Sequence, residues 1–191
     1  MTDLFAEFVA AAGKLKAQHV ARLEAAGVPR SAIYGGPMLC GAAPVSTSTD
    51  GLFEPAEEGR AAVIVPVGQR FTPWCGWEFM DDLCAFYLDQ PSRWWLRCGT
   101  EAVLGLEALE DAYGRKAAPL LVGTPLDWLK AGGDAVCIVN WGAVDPRGLF
   151  VGFPVVNCTT PALERRLLQR IEELARPPFE IRADRGQHAA T

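Results

Sequence analysis

Apolar residues recur at helical spacing from the start of the chain. Leu4, Phe8, Ala11 and Leu15 fall on one face, with Val9, Ala12, Val20 and Leu23 on or beside it. The pattern predicts one long helix over residues 3–26, stopped by Gly27 and Pro29, so residues 1–30 read as an N-terminal helical segment. His19 stands between Leu15 and Leu23 at steps of four. That position suits a packed or hydrogen-bonded structural histidine better than a catalytic one, since no partner residue is in view. From Ser31 to Arg60 the composition turns to Gly, Pro, Ser and Thr, which predicts an irregular loop region.

Period-two and continuous apolar runs follow. Residues 61–67 read as a strand, with Pro66 marking a strand end or a sheet edge. A second strand is expected over 83–88. Asp89-Gln90-Pro91 then predicts a short helix ending at Gly99, and Thr100-Glu101 starts another helical stretch that closes at Gly114. The clearest unit comes next. Leu120-Leu121-Val122 is a short apolar strand, Thr124-Pro125 caps and starts a helix, Gly132-Gly133 ends it, and residues 135–139 form the following strand. Tight connections make this a βαβ unit with parallel strands. A strand or hairpin is expected over 149–156. Thr160-Pro161 then opens a helix with the stripe Leu163, Leu167, Ile171 and Leu174, stopped by Pro177-Pro178. Residues 179–182 suggest an edge strand and 183–191 a flexible tail. The fold expected is α/β, a small mixed sheet containing a parallel βαβ unit, flanked by helices, with a long N-terminal helix.

A chain of 191 residues fits one domain with one core. Its 18 basic and 23 acidic residues give a net charge of −5, which disfavours nucleic acid as a partner and leaves a protein partner as the expectation. No window reaches the roughly 18 apolar residues of a membrane span. The N-terminus has no basic flank, so a cytoplasmic protein is expected. The six cysteines lack C-x-x-C spacing, which predicts reduced thiols, mostly buried, and no structural zinc.

Chemistry is sparse. Nucleophilic hydrolysis needs a histidine beside a nucleophile, and the sequence has only His19 and His188. No phosphate-cradling glycine motif occurs. Asp81-Asp82 suits a cation or a polar turn, and Asp127 in Thr124-Pro125-Leu126-Asp127 matches a capping box more closely than a catalytic acid. No metal or other cofactor is expected. Six tryptophans are unusual for one small domain. In Arg93-Trp94-Trp95-Leu96-Arg97, adjacent helical positions would point about 100° apart, one indole to the core and the other to a groove or partner. Arg93, Trp94, Trp95 and Arg97, with Asp127, are therefore the binding candidates.

Residues 120–129, Leu-Leu-Val-Gly-Thr-Pro-Leu-Asp-Trp-Leu, resemble the opening of a Toprim domain, the module of bacterial and phage primases and topoisomerases. The strand over 135–139 takes the place of that family's second strand, and 59–67 is similar to the segment preceding it in primase-like proteins. Residues 82–86 and 93–99 also resemble uncharacterised prophage-type proteins. Gly123 stands where the family has its general acid/base glutamate, no D-x-D follows Val139, and the primase zinc module is missing. The resemblance implies a degenerate relative that kept a scaffold and lost its chemistry. The leading expectation is a non-catalytic accessory or interaction protein of mobile-element origin. The rivals are a nucleic-acid-binding remnant using Arg93 to Arg97, and a metal enzyme using Asp81, Asp82, Asp127 or Asp145.

Overall fold

A computed structural model describes residues 3–35, 38–68, 70–72 and 76–175. The N-terminal segment forms two helices rather than one, α1 (Leu4–Gly13) and α2 (Ala17–Ala25). Their break has a topological reason. Phe8 and Ala11 of α1 pack in one cluster with Ile64, whereas Val20 and Leu23 of α2 pack in another with Val63 and Val65. Ile64 and its two neighbours alternate across one strand, so the helices cover opposite faces of the same sheet. No straight helix can do both.

The stretch expected to be irregular carries a short helix α3 (Arg30–Tyr34) and two strands, β1 (Gly41–Thr47) and β2 (Phe53–Pro55). Its loop-like composition answers to packing. A Cβ on Gly41 would sit 2.6 Å from the backbone of Ala11 and Ala12, so β1 passes α1 at a distance only glycine allows. β3 (Arg60–Val67) follows, then the backbone pair β4 (Arg70–Thr72) and β5 (Gly76–Phe79), then β6 (Asp82–Tyr87) and β7 (Gln90–Leu96). The antiparallel order is β2-β1-β3-β6-β7. β3 is thus central, and Pro66 lies near its end rather than on a sheet edge. A bridge between Leu52 and Leu96, with the Leu96 N–H donating to the Gly51 carbonyl at 2.9 Å, draws the sheet's two margins together.

The helix expected to open at Asp89 is instead the strand β7. Leu88-Asp89 forms a two-residue turn, after which β7 pairs back on β6, Phe86 opposite Trp94 and Ala85 opposite Trp95. Pro91 is tolerated because β7 lies at the end of the strand order.

The second half builds a four-stranded mixed sheet. β8 (Val103–Leu104) precedes α4 (Leu106–Gly114), so the helical stretch expected from Thr100 starts later than expected. Gly105 separates them at φ +80°, where a Cβ would collide with the Ala135 carbonyl oxygen. β9 (Leu120–Val122), α5 (Pro125–Lys130) and β10 (Val136–Ile138) form the expected βαβ unit, with Leu121 opposite Val136 in parallel register. The span 149–156 is not a hairpin. α6 (Pro146–Leu149) and turns lead to β11 (Asn157–Cys158), which pairs parallel with β9, giving the order β11-β9-β10-β8. The cause is Asp145, whose carboxylate accepts the Arg147 N–H at 3.0 Å and starts α6. The expected C-terminal helix is α7 (Pro161–Ala175), with Leu163 and Leu167 buried and Ile171 packed beside them. The readings for 177–191, including His188, lie outside the described residues.

Side chains alternate across both sheets. Val122, Cys137 and Val139 join the central core between the sheets, while Leu121, Val136 and Ile138 face α7. None of the described helices is long and apolar enough to cross a membrane.

Candidate functional site

Arg93, Trp94, Trp95 and Arg97 do not share one surface. On a strand, neighbours point to opposite faces. Trp95 is buried beside Tyr87, with ring centroids 5.2 Å apart. Trp94 packs on the central core, and its indole N–H donates to the Val139 carbonyl at 2.8 Å, tying the antiparallel sheet to the mixed one. Arg97 reaches both carboxylate oxygens of Glu7 at 3.1 and 3.2 Å and anchors α1. Arg93 alone is exposed, its guanidinium 5.6 Å from the Trp95 ring.

The carboxylates divide in the same way. The Thr124 hydroxyl accepts the Asp127 N–H at 3.1 Å and donates to the Asp127 carboxylate at 2.7 Å, so this pair holds the start of α5. Lys130 pairs with the other carboxylate oxygen at 3.4 Å. Asp82 is fully buried and accepts from the N–H groups of Leu83, Arg97, Cys98 and Thr100 at 2.8–3.0 Å. That set of donors explains how a buried charge is tolerated, and it makes Asp82 the organiser of the 97–101 turn. Among the described residues no group of three His, Cys, Asp or Glu side chains is placed to hold a metal ion. Burial pushes the Cys40 thiol up to about 12 and raises those of Cys84 and Cys137 as well, so these three are not thiolates at neutral pH.

Among the described residues a separate concavity lies where α2 crosses the start of β3 and the end of β6. It encloses about 180 Å³. Its lining includes Leu23, Ala42, Ala61 and Val63, with Leu15 and Leu88 beside them. Alanine at 42 and 61, on the face that α2 covers, is what leaves the space, since β-branched residues usual on a strand would fill it. The rim carries His19, Arg22, Arg60 and Asp89. His19 is a hydrogen-bonded histidine, as its spacing suggested: its Nδ1 accepts the Lys16 N–H at 3.2 Å and caps α2. A neutral imidazole accepting there carries its proton on Nε2. Arg60 is ion-paired with Asp89, and its guanidinium lies 4.1 Å over the Tyr87 ring. Arg22 has no acidic partner among the described residues.

Sequence reasoning missed Arg22, Arg60, Tyr87 and Asp89. The signal available was the Ala61-Ala62 pair inside an otherwise bulky strand. Comparison with family models, with curated proteins and with solved structures gives no match.

Proposed function

We propose that this chain is a non-catalytic binding protein of accessory type, and that the cleft under α2 takes a small amphipathic carboxylate. One observation carries the reading: an apolar floor opened by small residues, with a rim where Arg22 has no acidic partner among the described residues. The cleft is about equally polar and apolar and, at about 180 Å³, is smaller than the usual drug-sized site, which suits a short-chain ligand with one charged end. The apolar tail would lie on Leu23, Ala61 and Val63. The carboxylate would meet Arg22 and the Nε2–H of His19, while Asp89 keeps Arg60 occupied. The rim holds no nucleophile paired with a base, which favours binding over turnover.

The scaffold reading fits beside this. The parallel pair β9 and β10, joined by a helix that opens on Thr124-Pro125, supports a degenerate Toprim-like origin in a mobile element, and Gly123 supports the loss of chemistry there. A nucleic-acid-binding remnant is the weaker proposal, because Trp94, Trp95 and Arg97 are committed to internal contacts.

The test is a two-dimensional NMR titration with hexanoate. Amide shifts should cluster at Arg22, Ala61, Ala62 and Leu88. Ala61→Leu fills the cleft from an exposed position, so it should abolish those shifts while changing stability by less than about 0.5 kcal/mol. Shifts scattered over the surface, or unaltered in Ala61→Leu, would remove the cleft from consideration.

A further inference from the structure

A second site, sharing no lining residue with the first, is built around Trp141. It does not depend on the cleft under α2. Arg166 of α7 lays its guanidinium 4.5 Å over the Trp141 ring. One turn further along, Arg170 donates to the Gly142 carbonyl at 2.9 Å and to the Val144 carbonyl at 3.4 Å, which ties the 142–144 turn to the helix. A groove of about 310 Å³ runs between Trp141, Gly142 and these two arginines, with Gln169 and Glu173 along its rim.

The charges in this groove do not balance. Glu173 lies 3.5 Å from Arg170 and also accepts from the Gln169 amide at 2.9 Å. Arg166 has no carboxylate and no hydrogen-bond acceptor among the described residues. Arg30, Arg60, Arg97 and Arg147 by contrast each have an acid within ion-pair distance. Burial lowers the Arg166 pKa, and the Cys137 thiol acts against it. Two guanidinium groups at i and i+4 also repel each other. Both are held in position, one by an indole face and the other by two carbonyls. Arg170 is thereby fixed and Arg166 is restrained by its ring contact before a ligand arrives, which reduces the entropy lost on binding.

We infer that Arg166, backed by Arg170 and seated on Trp141, forms an oxyanion site for a phosphate group. A guanidinium fork matches two phosphate oxygens at once, and two arginines against one glutamate leave the groove a net positive charge. The phosphate can come free or on a small organic monoester, for which the groove has room.

The measurement is an NMR titration of the native protein at constant ionic strength with inorganic phosphate, phenyl phosphate and acetate in turn. The reporters are the Trp141 indole N–H and the Arg166 Nε–H. Saturable shifts of both with either phosphate, and weaker ones with acetate, are the expected result. Phenyl phosphate binding more tightly than inorganic phosphate assigns the site to monoesters, and equal binding assigns it to the free ion. Arg166→Gln should weaken binding at least ~10-fold, the equivalent of one charge-assisted contact. Arg166→Lys, which keeps the charge and loses the fork, should fall between. No saturable shift, an equal response to acetate, or unchanged binding in Arg166→Gln would overturn the assignment.

Discussion

At the scale of single residues, the two adjacent tryptophans decide how the 90–97 segment is understood. Their neighbouring positions were evident in the sequence, but their geometry depends on the backbone period, which a seven-residue window flanked by proline and glycine does not fix. At 3.6 residues per turn they would diverge by about 100°. On β7 they alternate, and each packs into a different core. Trp94→Phe keeps most of the apolar surface and removes only the donor to Val139. It should therefore cost about 1–3 kcal/mol, the price of one buried unpaired carbonyl. Trp95→Ala should cost more, about 3–5 kcal/mol, as large aromatic truncations in cores do. Urea unfolding followed by far-ultraviolet circular dichroism measures both. A Trp94→Phe variant as stable as the parent would show that the indole bond does not couple the two sheets.

At the scale of elements, the sequence was most readable where a segment contains its own reasons. The unit from β9 to β10 has its cap, proline start and glycine stop all within twenty residues, and α7 has an unbroken stripe. It was least readable where distant contacts decide. β1 looks like a loop because Gly41 must clear α1, and α1 ends because α2 belongs on the other face of the sheet. The turn after β7 is a further case, held by Asp82 from sixteen residues away. Beside it, Glu101 is raised above the ordinary glutamate range by burial first and by Asp81 next, with the Ala102 N–H acting against them. A carboxyl raised on folding binds its proton more tightly in the folded state. Its contribution is therefore absent below the unfolded value and becomes destabilising as pH rises through the folded one. Stability should decline over that window, and Glu101→Gln should flatten the decline and melt higher at neutral pH. Melting curves collected across the acid range test this, and an unaltered profile in Glu101→Gln would contradict it.

At the scale of the molecule, two sheets share one central core that also takes in α2, while α1 and α7 cover their outer faces. The cleft under α2 exists because this plan brings the start of β3, the end of β6 and α2 to one corner. No local pattern encodes that corner. Arg22, Arg60 and Asp89 are far apart in the chain, and only strand register brings the last two together, which is why the candidate site was not legible while the βαβ unit was. The account stands on the claim that this corner binds an apolar tail with an anionic head. Isothermal titration calorimetry with hexanoate, hexan-1-ol and hexylamine, three ligands with one tail and different heads, tests it most directly. Hexanoate should bind most tightly, hexanol about 10-fold more weakly for the loss of one charge-assisted contact, and hexylamine least. Arg22→Gln should bring hexanoate down to the level of hexanol. Hexylamine binding as tightly as hexanoate, or no heat from any of the three, would contradict the account.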